Sequence, residues 1–167
     1  MKTIRLWRTA LEKWLLRWGQ TRKDTAQTSK LPSGLPACVE DGEFLARFLT
    51  QSNQFSQEKR IAKPAAFLPD AKGERSVFRH GKEPRDRLWA LAGIHLKPGK
   101  PVRGAAILAA HDVRAAALDV IASEPPPRHA NIIGWPSESD PQETKAKQKE
   151  KALTLVARAT LVLREDD

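Results

Sequence analysis

Residues 1–23 alternate apolar and basic positions with the period of an α-helix. The apolar side chains recur every three or four positions and fall within about 100° of arc, with basic side chains around the rest. Gly19 is a typical helix end. The apolar stripe consists of Ile4, Trp7, Leu11, Trp14, Leu15 and Trp18, and Arg5, Arg8 and Arg17 lie off it. The pattern predicts an amphipathic helix in residues 1–23.

Residues 19–40 show no sustained hydrophobic period. They are rich in Thr, Ser, Gln, Pro and Gly, which is the composition of a linker. We therefore expect the N-terminal helix to be joined flexibly to a single compact domain in residues 41–167.

Helical spacing recurs four times in the expected domain. Phe44, Leu45, Phe48 and Leu49 fall on one helical face after the N-cap candidate Asp41. A second helix is predicted after Pro84 and a third at about 103–116. The clearest start signal is Asp140 followed by Pro141, which predicts a helix from that point.

Four short runs are predicted to be strands. They are residues 75–79, 118–122, 129–136 and 159–163. The alternative for residues 159–163 is an extension of the last helix, and their β-branched content favours a strand. Strands and helices thus alternate along the chain. The predicted fold class is α+β, with a small three- or four-stranded sheet packed with three to four helices.

The charge of the chain is concentrated at its N-terminus. The 167 residues carry a net charge of +9, and 40% of them are hydrophobic. Residues 1–30 hold eight Lys and Arg against two acidic residues, whereas residues 31–167 hold 21 against 18. Trp7, Trp14 and Trp18 are three of the five tryptophans. The basic character therefore belongs to the N-terminal helix, and the domain is nearly neutral.

Three roles compete for this helix. Its apolar stripe can pack on the chain's own domain. It can lie in the plane of an anionic membrane surface, with tryptophan at the headgroups. It can also dock to a partner protein or to nucleic acid. The charged residues every few positions exclude a transmembrane segment. The uninterrupted apolar run of a secretory signal is missing. The Arg-rich composition has some likeness to an organellar transit peptide.

Nucleic-acid binding would involve phosphate contacts by the basic helix and by Lys145 and Lys149 in the last predicted helix. The domain has no tyrosine, and its basic residues do not alternate with aromatic ones. We therefore expect such binding to be non-specific and sensitive to salt.

The common catalytic and metal-binding motifs are missing from the sequence. Cys38 is the single cysteine, and no nucleotide-binding, nucleophile-elbow or zinc-protease motif occurs. The histidines are widely spaced along the chain, so no two of them share a helical turn. His111-Asp112 is a weak signal for a phosphohydrolase. We predict no metal site and no cofactor.

The best local candidate for a site is the segment from Arg128 to Pro136. His129 and Asn131 follow a rigid proline run, and a histidine beside an amide suits acid/base chemistry or ligand binding. Arg79 and His80 end another predicted strand, and their convergence on His129 would form a site for an anionic ligand or a phosphodiester. The alternative is that His129 and Asn131 only satisfy backbone groups beside the prolines.

Four runs of the sequence resemble a family of short, uncharacterised bacterial proteins: FLARFL, KPAAFLP, SVFR and PPPRHANIIGWP. The resemblance covers about residues 41–165 and leaves out the N-terminal helix. It implies a bacterial cytoplasmic origin and a self-contained domain, and it implies no catalytic residues.

Together these observations favour a non-enzymatic accessory protein, cytoplasmic or peripheral at a membrane or complex. It would dock into a larger bacterial assembly through its N-terminal helix, with a protein as the favoured partner. The alternatives are a nucleic-acid-associated component that binds phosphates non-specifically, and a small His-dependent enzyme or anionic-ligand-binding domain.

Overall fold

The computed structural model describes residues 30–81, 85–95 and 101–164. The chain divides into two compact units, residues 1–38 and residues 39–167. In the first unit, the described residues form a turn in which the Leu31 amide donates to the Leu35 carbonyl (2.9 Å). The predicted helix in residues 1–23 lies outside the described residues, as does most of the predicted linker.

The second unit is built on an antiparallel sheet. Among the described residues this sheet has six strands in the order β6-β7-β4-β1-β5-β8, and every neighbouring pair is antiparallel. The strands are β1 (Phe44–Leu49), β4 (Arg75–Arg79), β5 (Gly104–Ala109), β6 (Asp119–Ala122), β7 (His129–Ile133) and β8 (Thr160–Leu163). A separate small hairpin pairs β2 (Phe55–Ser56) with β3 (Ile61–Ala62).

Helices cover both faces of the sheet. The described helices are α1 (Arg85–His95), α2 (Ala110–Ala115) and α3 (Pro141–Arg158), with short 3-10 helices at Ser52–Gln54 and Pro64–Ala66. Side chains of α2, α3 and Pro64–Ala66 pack in the larger core with Leu45, Val77 and Ile132. Leu88 and Ala92 of α1 form a smaller core on the opposite face with Phe48 and Phe78. No described helix has the length and apolar character needed to cross a membrane.

The α+β class is confirmed, but the prediction of a three- or four-stranded sheet was wrong because two strands had been assigned to helices. Residues 44–49 form the central strand β1, not a helix. A strand packed on both faces is apolar at consecutive positions, so its sequence also satisfies helical spacing. Leu45 and Leu49 enter the larger core, whereas Ala46 and Phe48 enter the smaller one.

The helix predicted at about 103–116 was also wrong over its first half. Residues 104–109 form β5, and only Ala110–Ala115 are helical. Ala105, Ala106 and Ala109 are buried in this strand. A β-carbon placed on Gly104 would lie 2.9 Å from the Val162 carbonyl oxygen of the neighbouring strand β8. Small side chains here therefore reflect strand packing, while the sequence had been interpreted as helix packing.

The remaining elements agree with the sequence in type. Strands are present at residues 75–79, 119–122, 129–133 and 160–163, and α1 follows Pro84. The start of α3 is as predicted, with Pro141 in the first turn and the Asp140 carboxylate accepting from the Gln142 amide (2.9 Å). The three described helices agree with the prediction of three to four.

Candidate functional site

A connected set of polar side chains lies on the sheet face that α1 partly covers. Side chains alternate between the faces of a strand, and Ser76 of β4 is the register partner of Asn131 of β7 while Phe78 is the partner of His129. Phe78 belongs to the core beneath α1, which identifies the face. We call this set the polar sheet face; it consists of Glu74, Ser76, Ser123, His129 and Asn131.

The central contact of the polar sheet face joins Ser76 and His129. Ser76 Oγ lies 2.7 Å from His129 Nε2, and His129 Nδ1 lies 2.9 Å from the carbonyl oxygen of Ser123. A carbonyl oxygen only accepts hydrogen bonds, so Nδ1 must carry a proton. In the neutral imidazole Nε2 is then the acceptor, and the Ser76 hydroxyl donates to it. The backbone thereby fixes the tautomer of His129.

The His129 ring makes an aromatic contact in addition to the hydrogen bonds at its two nitrogens. The ring of Phe78 meets that of His129 edge-on, with centroids 5.3 Å apart. Phe78 in turn packs on Phe48 at 5.4 Å, within the core under α1. His129 is half-buried. The orientation of its ring is determined by its contacts to Ser76 of β4, to the Ser123 carbonyl in the β6–β7 connection and to the Phe78 ring.

Asn131 extends the network along β7. Its side-chain amide donates to Glu74 Oε2 (2.6 Å) and lies 3.4 Å from Ser123 Oγ. Asn131 is buried, and Ser76 is half-buried directly across from it. The amide thus connects a carboxylate before β4 to the residue that follows β6.

The Ser76 hydroxyl, the His129 imidazole and the Ser123 carbonyl are connected in the order that is typical of a serine activated as a nucleophile. A serine hydroxyl donates to a neutral imidazole, and a third group orients that imidazole through its other nitrogen. Here the third group is the Ser123 carbonyl, which is neutral, in place of a carboxylate. The network can therefore accept a proton from Ser76, and it can also simply satisfy polar groups across three strands.

The side chain of Arg79 does not belong to this network. Its backbone amide donates to the carbonyl of Arg128, next to His129, but its side chain emerges on the opposite face. There the guanidinium binds the Glu43 carboxylate through Nε to Oε2 (2.7 Å) and Nη2 to Oε1 (2.6 Å). Adjacent residues of a strand point to opposite faces, so Phe78 and Arg79 cannot both contact the same site.

His80 directly follows β4 and is buried, and its backbone amide donates to the Phe44 carbonyl (2.8 Å). Of the predicted candidates, the structure places His129 and Asn131 in the network. Sequence analysis missed Ser76, Glu74 and Ser123. The alternation in Ser76-Val-Phe did place Ser76 on the face of Phe78, but only the pairing of β4 with β7 brings the serine to His129.

The remaining predicted contact residues fall into two groups. Lys145 and Lys149 are exposed on α3. Between them, Lys147 binds Glu138 and Glu143, and these hydrogen bonds raise its pKa. The docking candidates Ile4, Trp7, Leu11, Trp14, Leu15 and Trp18 and the arginines Arg5, Arg8 and Arg17 lie outside the described residues.

The described part of the chain contains no group of three or more His, Cys, Asp or Glu residues that could hold a metal ion. His111 is exposed on α2, and its Nε2 lies 3.4 Å from Asp112 Oδ1, so this pair forms a local surface contact. Cys38 is an exposed free thiol.

No protein-family model matches this chain, and neither a curated protein nor a solved structure matches it. The polar sheet face and the distribution of charge are therefore the features that support a function.

Proposed function

We propose that this chain is an accessory protein that joins a larger bacterial assembly through residues 1–23. The observation that carries the proposal is the segregation of charge: residues 1–30 have a net charge of +6, against +3 for residues 31–167. The tryptophan-rich stripe adds an apolar surface to the same short segment. Aromatic and arginine side chains are the usual anchors of protein interfaces.

The division of the chain after Cys38 supports this proposal. Residues 39–167 form a compact unit with two hydrophobic cores of their own. A domain with its own core can be carried to a partner by a separate segment. The expected partner is a protein with an apolar groove surrounded by acidic residues, because the groove would take the apolar face of the predicted helix and the acidic residues would pair with its basic face.

The test compares the full chain with two variants that separate the apolar from the basic contribution. One replaces Trp7, Trp14 and Trp18 with alanine, and the other replaces Arg5, Arg8 and Arg17 with glutamine. Cross-linking in the native host, followed by reconstitution of the identified complex, is expected to show loss of binding in the tryptophan variant. Reconstitution at two salt concentrations measures how much ionic contacts contribute to the binding affinity.

Two results would contradict this proposal. A chain lacking residues 1–23 that assembles as the full chain does would show that the segment is not the docking element. Binding to any DNA or to anionic vesicles that depends on the arginines, falls steeply with salt and does not need the tryptophans would instead support phosphate contact.

A second function is favoured by one specific contact, the 2.7 Å hydrogen bond between Ser76 and His129. We propose that Ser76 is the nucleophile of a small acyl-transfer site. Its Oγ would attack the carbonyl carbon of an ester while its proton passes to His129 Nε2; that proton then goes to the departing alkoxide as the ester bond breaks. Water would release the acyl group by the reverse transfer.

An organophosphorus reagent tests this second function, because such reagents modify activated serines. We expect modification of Ser76 in the full chain and none in Ser76→Ala. His129→Ala is expected to slow the modification strongly, because it removes the acceptor of the Ser76 proton, and thermal unfolding shows whether that variant is folded. An unmodified Ser76, or equal modification in a folded His129→Ala variant, would show that the network is only structural.

A further inference from the structure

Two arginines share the other face of the sheet, away from the polar sheet face. Arg47 lies in the middle of the central strand β1, and Arg75 is the first residue of β4. The register that pairs Ala46 with Phe78 places Arg47 opposite Val77, so Arg75 is its diagonal neighbour on the same face. Long side chains in this relation reach one another across adjacent strands.

Arg47 is held by neutral acceptors. Its Nε donates to the Ala66 carbonyl (3.0 Å) and its Nη1 to the Ser76 carbonyl (3.2 Å). No carboxylate forms an ion pair with it among the described residues. Burial, and to a smaller extent the charge of Arg75, lowers the pKa of Arg47 to about 10. The guanidinium is therefore positioned by backbone carbonyls, while its charge has no counter-ion among residues 30–81, 85–95 and 101–164.

Arg75 has an unused donor. Its Nε is buried and has no hydrogen-bond partner in the part of the chain that the structure describes. Burial lowers the pKa of Arg75, and the Asp70 carboxylate offsets only part of this effect. Asp70 is itself engaged with the backbone, since its Oδ1 accepts from the amides of Lys72 (2.8 Å) and Glu74 (3.3 Å). A buried N–H without a partner costs free energy until an acceptor is supplied.

We propose that Arg47 and Arg75 form a binding site for a phosphate group. Two guanidinium groups on one face supply two positive charges and several donors, which match the two charges and three oxygens of a phosphate monoester. A carboxylate would neutralise only one of the two charges. The bound phosphate would accept from the free Nε of Arg75 and would separate the two cations. This site contains neither residues 1–23 nor the side chains of Ser76 and His129, and it touches Ser76 only at its backbone carbonyl, so its test is separate from those of the proposed functions.

The turn before β4 lines a cavity, and its Asp70 carboxylate lies near enough to Arg75 to raise the pKa of that guanidinium against the larger lowering effect of burial. Residues Asp70 to Gly73 line an open cavity of about 420 Å³ together with residues 134–137 and Gln148 of α3. Lys72 is an exposed residue that lines the cavity, three positions before Arg75 in the chain. A cavity of this volume is within the range that holds small organic ligands. The organic part of a phosphate monoester would lie there.

Titration of the full chain with inorganic phosphate tests the site, by calorimetry and by thermal unfolding. Sodium chloride at equal ionic strength controls for screening, and acetate controls for a singly charged carboxylate. We expect saturable binding of phosphate, with a rise in Tm that neither chloride nor acetate reproduces. Acetate that binds as tightly as phosphate would overturn the assignment to a phosphate group.

Three variants locate the binding. Arg75→Gln should weaken phosphate binding about tenfold, since it removes a charge-assisted contact. Asp70→Asn keeps the oxygen that caps the turn and removes the competing negative charge, so it should tighten binding roughly threefold. Arg60→Gln changes an exposed arginine elsewhere and should bind as the unmodified chain does. Equal affinity in all four chains would overturn the proposal.

Discussion

The guanidinium of Arg79 binds the carboxylate of Glu43 through two parallel hydrogen bonds, Nε to Oε2 at 2.7 Å and Nη2 to Oε1 at 2.6 Å. Arg79 is 1% exposed and Glu43 is 19% exposed as side chains. The pair fastens the end of β4 to the residue before β1, and Glu43 Oε1 also accepts from the Glu40 amide (2.9 Å). This contact keeps the Arg79 guanidinium away from His129.

Glu43→Gln is expected to lower the free energy of unfolding by about 3 kcal/mol, because it removes the negative charge that accepts two hydrogen bonds from the buried Arg79 guanidinium. Chemical denaturation measures the change. Glu58→Gln, at an exposed glutamate, is the matched control and should have little effect. Equal stability of the two variants would show that the Arg79–Glu43 pair makes no net contribution.

The tautomer of His129 can be observed directly. The 2.9 Å contact between Nδ1 and the Ser123 carbonyl predicts a neutral ring protonated at Nδ1, which nitrogen-15 chemical shifts distinguish from the other tautomer. Ser76→Ala removes the donor to Nε2 and should lower the free energy of unfolding by about 1 kcal/mol. A ring protonated only at Nε2 would contradict the assigned direction of the Ser76 hydrogen bond.

Two glycines should respond to alanine in opposite directions. Gly104→Ala places a β-carbon 2.9 Å from the Val162 carbonyl oxygen, which is backbone of the neighbouring strand β8, so the variant should unfold at a lower temperature. Gly93 lies in α1, where the added carbon has no described atom within 4 Å apart from its chain neighbours and the backbone of its own helix, and Gly93→Ala should stabilise the chain by about 1 kcal/mol. Thermal unfolding of both variants checks the signs.

Two leucines of α3 separate its buried side from its exposed side. Leu155 is fully buried in the larger core, whereas Leu153 is 49% exposed. Leu155→Ala should lower the free energy of unfolding by about 3 kcal/mol through lost burial and a cavity, and Leu153→Ala by much less. If the two variants were equally destabilised, α3 would have to pack on the sheet through a different face.

Local chemistry was sufficient to predict the elements that carry a start signal or clear strand composition. Asp140 with Pro141 specified the beginning of α3, and the strands predicted at 75–79 and 129–136 are present as β4 and, over residues 129–133, as β7. Local spacing failed in the centre of the sheet. Residues 44–49 are apolar on both sides because helices cover both faces, and that pattern does not distinguish a strand from a helix.

The sequence by itself therefore determined the α+β class, the concentration of charge in residues 1–30 and the candidacy of His129 and Asn131. Only the tertiary structure decided which side chains meet. Strand pairing brought Ser76 to His129 and placed Arg47 beside Arg75, while the alternation of side chains along β4 sent Arg79 to Glu43. These contacts join residues that are far apart in the chain. They depend on the register of the sheet, which is set by the packing of the whole domain and cannot be predicted from local sequence patterns.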